Sequence, residues 1–325
     1  MLTPPPDLWD VHTHCYSRDY LSLLEQYGGD YRIERTGTEH PSVTWRGWRV
    51  VTLHPATYDI AARFEDARQQ DVRVHFISTT VPNLYPLPPA IQGRAARVVN
   101  DDLARWRDTY PDQIRGLASV PIDSDDAVTE IDRALDDLAL SGFILGTQIG
   151  RRDLDDAAFA PIFDRLDERE ARVLLHPMVP EASGEHLAQH DLLSLVGFVN
   201  AVTECVTRLT LTGFFQRYAR IRFILPQMGG GSLWVRGRVR FGWPATADPR
   251  NQEPASLYYD TLSFQPEALA AAEKIVGAGR LLFGSDYPHL GNAEAVWQDV
   301  RAAGLGSTAE HAVASGNAKA LFGTR

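Results

Sequence analysis

The sequence predicts an α/β fold in which parallel strands alternate with helices. Short apolar runs recur along all 325 residues, and amphipathic stretches separate most of them. About eight of these runs are strand candidates, which is the number that closes a (β/α)8 TIM barrel. Alternating strands and helices also imply right-handed crossovers between parallel neighbours. The candidate strands are residues 8–14, 72–78, 114–120, 142–149, 171–176, 221–227, 257–263 and 280–286.

The clearest helix candidate covers residues 123–140, directly after the third candidate strand. Asp and Ser stand early in this segment, as they do where helices begin. Its apolar residues recur at helical spacing, at Val128, Ile131, Leu135 and Leu138. The segment therefore supplies the crossover helix that a parallel strand pair requires.

An open doubly wound sheet is the alternative to a barrel. Such sheets usually carry a Gly-rich phosphate fingerprint after the first strand, and none follows residues 8–14. An insertion at about residues 27–58 separates the first two strands, and we expect either a small β-like excursion near the active face or a structural flap. No linker or repeat divides the chain, so residues 1–325 are expected to form one barrel domain with this inserted segment.

Composition narrows the classes of partner. The formal net charge is -10 and no block of Lys or Arg is visible, which argues against nucleic acid and favours a small-molecule ligand. No uninterrupted apolar stretch is long enough for a membrane span. Cys15 and Cys205 do not make a disulfide framework, and no signal peptide precedes the first strand. We therefore expect a cytoplasmic protein without a membrane partner.

Two histidines at the end of the first strand point to a metal site. Successive strand side chains alternate between faces, so His12 and His14 are expected to project from one face. Barrel enzymes carry their functional groups at the carboxyl ends of the strands, where His176, Gln227 and Asp286 also stand. Three histidines and one carboxylate suit zinc or another divalent ion, with one position open for water. The alternative is that each histidine is an ordinary polar residue at a strand end.

Several motifs are spread over nearly the whole chain: DVHTH at 10–14, residues 71–82 and 117–121, GTQ at 146–148, LLHP at 174–177, GGG at 229–231, YDT at 259–261 and GSDYP at 284–288. With these motifs the chain resembles the amidohydrolase superfamily, and within it the branch of 2-amino-3-carboxymuconate-semialdehyde decarboxylase. The resemblance implies a distorted (β/α)8 barrel with a mononuclear site whose metal ligands are His12, His14, His176 and Asp286. Residues 142–149 offer no lysine to bridge a second ion.

Gln227 is the main departure from the family, which normally has a histidine there that helps to activate metal-bound water. A glutamine amide does not titrate near neutral pH, so it can orient water or a ligand only through hydrogen bonds. Three interpretations follow. In the first, Asp286 handles the proton, so the family histidine is not needed. In the second, a different reaction takes place on a more activated substrate. In the third, the chain binds a ligand without turning it over, or it carries an engineered change at Gln227.

The resemblance also implies a set of substrate contacts. Arg49 matches a family arginine that holds a carboxylate, although a surface salt bridge is the plain alternative. Arg238 matches a second arginine that the family donates across a subunit interface, which implies a homodimer. His289 follows Asp286 closely and is a candidate substrate or supporting contact, or a turn residue. Family pocket positions have changed to Thr52, Met178 and Ser194, so we expect a substrate other than the namesake's.

The sequence therefore predicts a metal-dependent, non-oxidative decarboxylase of an unsaturated or aromatic carboxylic acid. Asp286 and Gln227 are the candidate catalytic residues, and the cofactor is one divalent ion, zinc first and manganese second. A hydrolase that uses metal-bound hydroxide and a non-catalytic binding barrel are the alternatives. Asp10 is not expected to be a ligand and Cys15 is not expected to be a nucleophile. The remaining histidines with no matching partner are interpreted as ordinary surface or packing residues: His54, His75, His186, His190 and His311.

Overall fold

The structure is a computed structural model that describes residues 7–35, 39–67, 71–180, 185–242 and 254–323. The strands are β1 Leu8–His14, β2 Tyr31–Glu34, β3 Ser42–Trp45, β4 Trp48–Thr52, β5 Val72–Ser78, β6 Ile114–Ser119, β7 Gly142–Gly146, β8 Gln148–Ile149, β9 Arg152–Asp153, β10 Arg172–His176, β11 Arg222–Leu225, β12 Leu257–Asp260 and β13 Leu281–Leu282. The helices are α1 Arg18–Tyr27, α2 Ile60–Ala67, α3 Pro89–Thr109, α4 Ala127–Asp136, α5 Ala160–Glu168, α6 Phe198–Leu211, α7 Phe214–Arg217, α8 Ser232–Gly242, α9 Pro266–Val276, α10 Ala293–Ala302, α11 Ser307–His311 and α12 Asn317–Phe322.

Eight parallel strands form a nearly closed barrel, in the order β1, β5, β6, β7, β10, β11, β12 and β13. Backbone hydrogen bonds join the first strand to the segment around the last one. Val11 N–H donates to Phe283 O at 3.0 Å, and Asp286 N–H donates to His12 O at 2.8 Å. These bonds confirm the predicted barrel and exclude the open sheet, whose outer strands would not meet.

The barrel strands are buried on both faces, which explains their continuous apolar runs. Leu174, two residues before His176 and on the same face, lies in a buried apolar cluster with its register neighbours Ile144 and Ile224. Packed side chains therefore fill the barrel below the strand ends and leave polar groups to the upper rim.

Several predicted strands end earlier in the structure than in the sequence pattern. The strand predicted at 142–149 breaks after Gly146, and β8 pairs antiparallel with β9 instead of continuing in the barrel. The strands predicted to reach 227 and 286 end at Leu225 and Leu282. Gln227 and Asp286 adopt left-handed backbone, with φ of 52° and 59°, and this conformation ends a strand ladder.

The insertion between β1 and β5 contains the three-stranded antiparallel sheet β2–β3–β4. This confirms the predicted β-like excursion. The predicted helix at 123–140 is also present but shorter, as α4. In the part of the chain that the structure describes, no helix is both long and apolar enough to cross a membrane.

Candidate metal centre

Four predicted ligands come together at the carboxyl end of the barrel. His12 and His14 end β1, His176 ends β10, and Asp286 lies in the loop after β13. One candidate ligand atom from each of the four lies within 4.8 Å of the others, and all four residues are buried. The His-x-His spacing does place both imidazoles on the same site, as the sequence predicted.

The donor set fits a divalent ion. The Nε2 atoms of His12 and His14 are buried without a hydrogen-bond partner, and they lie 3.6 and 3.1 Å from Asp286 Oδ1. Buried polar atoms are costly unless something satisfies them. A cation held between these two nitrogens and the carboxylate satisfies all of them, and three imidazoles with one carboxylate suit zinc or manganese.

Hydrogen bonds on the far side of each imidazole fix its orientation. His12 Nδ1 donates to Asp260 Oδ2 at 2.7 Å, and Asp260 Oδ1 accepts from the backbone N–H groups of Met228 and Leu262 at 3.0 and 3.2 Å. A proton held on Nδ1 leaves Nε2 free as a metal ligand. Asp260 was not recognised as a site residue in the sequence, although it stands in a motif of the family resemblance.

His14 and His176 are oriented in a similar way by weaker partners. His14 Nδ1 lies 3.0 Å from Ser78 Oγ, and this hydroxyl also reaches Thr13 O. His176 Nδ1 lies 2.9 Å from Pro177 O. Both rings therefore turn Nε2 toward the centre of the site.

The protonation of the three imidazoles follows from their surroundings. Burial and then the neighbouring histidines hold the pKa values of His14 and His176 well below the ordinary value. Burial alone would lower the pKa of His12, but Asp260 and Asp286 outweigh it and raise this pKa. Neutral imidazoles are the form that binds a metal.

The loop that carries Asp286 is anchored to the first strand. Ser285 donates from its backbone N–H and its hydroxyl to Asp10, at 3.0 and 2.5 Å. Asp10 also accepts from His12 N–H at 3.2 Å and is fully buried, and burial raises its pKa to about 6. Asp10 is therefore occupied with the loop and lies outside the ligand cluster.

A cavity of about 280 Å³ opens above the ligands. Gln227, Arg49 and His289 line it, together with His176 and Asp286. The His289 ring stacks against His14 with centroids 5.5 Å apart, and burial lowers the pKa of His289 to about 4. Further lining residues are largely apolar: Val50, Val51, Val81, Pro177, Leu187, Ala188, Leu193, Leu195, Phe198, Pro288 and Leu290.

Arg238 is the candidate that the single chain does not bring to the site. It is exposed on α8, and in the described part of the chain it does not line the cavity. Its contribution across a subunit interface stays a prediction.

Sequence reasoning missed three polar residues of the cavity. His54 was interpreted as an ordinary surface or packing residue, but it lines the cavity, and its Nε2 lies 3.1 Å from Pro288 O. Thr80 lies in the cavity with its hydroxyl 3.2 Å from His176 Nε2. Asp191 reaches the cavity from a short helical segment that has no barrel motif. Only Thr80 stood in a motif that could have signalled it.

Comparison with known proteins agrees with this arrangement. The chain is 26% identical to 2-amino-3-carboxymuconate-6-semialdehyde decarboxylase of Dictyostelium discoideum, covering 86% of this chain and 81% of the relative. It is 29% identical to 6-methylsalicylic acid decarboxylase of Aspergillus aculeatus, and the match covers 86% of this chain and 84% of the relative. A manganese-bound dihydroxybenzoic acid decarboxylase from Polaromonas sp. JS666 has the same fold, with a TM-score of 0.78 and 21% identity over 98% and 97% of the two chains. Residues 9–324 match the family described as amidohydrolase, and the chain belongs to that family.

Proposed function

We propose that the protein is a metal-dependent decarboxylase that removes carbon dioxide from an aromatic or unsaturated carboxylic acid without oxidising it. The observation that carries this proposal is Gln227, which stands at the cavity beside the buried three-histidine, one-aspartate cluster. The cluster supports a cation that binds the acid, and the glutamine supplies no base for activating water. The names of the two relatives support the same reaction class.

We propose zinc as the cofactor and manganese as its alternative, because imidazole and carboxylate together accept both. His12, His14, His176 and Asp286 would hold the ion. When bound, the ion supplies a Lewis acid that polarises substrate oxygens. The manganese in the Polaromonas structure supports the alternative.

The cavity is suited to a small aromatic acid. Its walls are mainly aliphatic, and a volume of about 280 Å³ is of the size that takes a single substituted ring. Polar groups lie beside the metal ligands, where Gln227 Oε1 is buried without a hydrogen-bond partner. This oxygen can accept a hydrogen bond from a substrate hydroxyl and thereby orient the ring.

Asp286 is the group that moves the proton. In its protonated form it delivers a proton to the ring carbon that bears the carboxylate. The carbon–carbon bond then breaks, its electron pair returns to the ring, and carbon dioxide leaves. A proton from solvent restores Asp286. The products are the decarboxylated ring and carbon dioxide, and the reaction uses no external oxidant or reductant.

Hydrolysis by metal-bound hydroxide is the rival reaction, with Asp286 as its base. Gln227 cannot take a proton from water as the usual family histidine does, so Asp286 would have to act as the base alone. Products separate the two reactions. Carbon dioxide release from a 2-hydroxybenzoate supports the lyase, whereas incorporation of labelled oxygen from water into a cleaved product would establish the hydrolase.

Asp286→Asn tests the proposed proton donor. We expect turnover to fall by at least about 100-fold. A positioned acid raises the reaction rate by roughly 10²–10⁴-fold, and an amide has no acidic proton to replace it. The measurement is carbon dioxide release at saturating metal, with metal content and circular dichroism recorded for both proteins. Near-normal turnover in a metal-loaded Asp286→Asn protein would contradict the role.

Gln227→His separates an enzyme from a binding protein. If the natural chain is an enzyme, it releases carbon dioxide with Gln227 in place. A chain that binds the acid, and that reacts only after Gln227→His, would instead be a non-catalytic binder.

We further propose a cytoplasmic homodimer in which Arg238 of one chain reaches the neighbouring site. The buried free thiols Cys15 and Cys205 are compatible with a reducing compartment.

A further inference from the structure

Arg49 does not point into the cavity as an unpaired cation. Its Nη2 lies 2.5 Å from Asp191 Oδ1, and its Nη1 lies 3.3 Å from Thr52 Oγ1. Arg49 belongs to β4 in the insertion, whereas Asp191 belongs to the segment between β10 and α6. Both side chains are about half exposed, at 52% and 59%, and both line the cavity. The ion pair therefore joins two separate walls of the substrate pocket.

Asp191 changes the charge that the pocket offers. Among the described residues that line the cavity, Arg49 and Asp191 are the charged side chains other than the histidines and the ligand Asp286. Their charges cancel at this distance, and the surrounding wall includes Leu187, Leu193 and Leu195. A substrate group that reaches this region thus meets a neutral and largely aliphatic surface.

The backbone holds Asp191 in an uncommon conformation. His190 and Asp191 both have a φ of 56°, the left-handed region that residues other than glycine rarely adopt. Asp and His are among the residues that tolerate it best. The turn therefore places the carboxylate against Arg49 through a conformation that an ordinary surface helix would not provide.

We propose that Asp191 determines substrate specificity by neutralising Arg49, so that the pocket selects acids with one carboxylate and an apolar opposite side. This inference rests on the proposed function and names its substrate class, monocarboxylic aromatic acids. A second carboxylate at the Arg49 end would have to displace Asp191 or lie beside its negative charge. Either event weakens binding relative to a methyl group in the same place.

Binding of non-reacting probes tests the proposal. A 2-nitrophenol resembles a 2-hydroxybenzoate, but its nitro group cannot leave as carbon dioxide. The probes are 2-nitrophenols with either a methyl or a carboxylate at position 4 or 5, and calorimetry on the metal-loaded protein gives each Kd. We expect the natural chain to bind the methyl probes more tightly.

Asp191→Asn should shift the ratio of the two Kd values toward the carboxylate probe by about five-fold, the upper end for a half-exposed ion pair. The shift should shrink at high salt, where exposed charges are screened. It should vanish when Arg49→Gln is added, because the arginine is then no longer present to bind the second carboxylate.

Asp30→Asn is the matched control. Asp30 pairs with Arg46 Nε at 2.8 Å on the same insertion, both side chains are 56% exposed, and neither lines the cavity. The control should leave the Kd ratio unchanged. An unchanged ratio in Asp191→Asn, or a shift that persists with Arg49→Gln, would overturn the proposal.

The outcomes also separate this inference from the proposed function. If the methyl probes bind and Asp191→Asn shifts the ratio, but no acid releases carbon dioxide, the charge selection stands and the decarboxylase proposal fails. If carbon dioxide is released and the ratio does not shift, only the role of Asp191 fails. If no probe binds to the natural chain, the charge selection is overturned, and carbon dioxide release alone decides the decarboxylase proposal.

Discussion

At the scale of single residues, the hydrogen bond from His12 to Asp260 determines which imidazole nitrogen faces the other ligands. Asp260 accepts two backbone N–H groups on one oxygen, so its second oxygen is left for His12 Nδ1. This arrangement needs a carboxylate. A neutral amide has only one oxygen, and two N–H groups already compete for it.

Asp260→Asn should therefore weaken metal binding by about 10- to 100-fold, the usual cost of removing a partner of a metal-bound histidine. Ser78→Ala removes the weaker partner of His14 and should cost less. Competition with a chelator gives both affinities. Equal affinities for the natural chain and Asp260→Asn, with unchanged unfolding midpoints, would show that Asp260 does not orient the ring.

The sequence predicted the metal-ligand residues correctly where their spacing along a strand, or their place at a strand end, determines their position in the fold. His12 and His14 could be placed on one site because strand side chains alternate, and His176 and Asp286 because strand ends meet at one rim. Asp191 could not be found in this way. Its position depends on two left-handed residues and on an arginine 142 positions away in the chain, and neither leaves a local pattern.

At the scale of elements, the Gly-rich turn after β11 holds Gln227 against α6. Gly230 has a φ of 61°, and a Cβ there would lie 2.5 Å from Val199 O and 2.7 Å from Thr203 Oγ1. The next backbone N–H, of Gly231, donates to Thr203 Oγ1 at 2.7 Å. The turn thus packs so closely on α6 that a side chain at Gly230 has no space.

Gly230→Ala should lower the free energy of unfolding by about 2–4 kcal/mol, because it adds left-handed strain to a steric clash. Gly237→Ala in α8 is the control, since its Cβ would meet nothing within 4 Å and alanine favours helix. Urea unfolding gives both values. A Gly230→Ala protein as stable as the control would contradict the close packing of the turn.

Element boundaries were the least predictable part of the fold. The barrel strands were found because apolar runs buried on both faces are easy to recognise. Their ends were placed too late at Gln227 and Asp286. The ladders stop at Leu225 and Leu282, before these left-handed residues, and the sequence pattern does not show where the backbone leaves the ladder. The antiparallel pair β8–β9 was missed because the strand predicted at 142–149 was carried past Gly146, although the polar residues Thr147 and Gln148 follow it.

At the scale of the whole molecule, buried neutral histidines make stability depend on pH. The pKa of His289 falls to about 4, and those of His14 and His176 fall well below the ordinary value. Below about pH 6.5 the unfolded chain binds protons that the folded chain does not, so stability is lost as pH falls. The raised pKa values of His12 and Asp10 act in the opposite direction and offset part of this loss.

The metal-free protein should therefore become less stable between pH 7 and pH 5, and His289→Gln should reduce this loss. The shift of His289 from 6.5 to about 4 corresponds to at most roughly 3 kcal/mol, reached only near pH 4. Urea unfolding of metal-free protein at several pH values gives the slope for each chain. Identical slopes for the natural chain and His289→Gln would show that His289 does not contribute.

The closure of the barrel between its first strand and its last loop has a consequence for when the protein can acquire its ion. His12 and His14 leave the ribosome some 270 residues before Asp286. While the residues between them are synthesised, the nascent chain carries an incomplete set of metal ligands. Full affinity arises only when these two distant segments meet, so tight metal binding marks a chain whose barrel has closed.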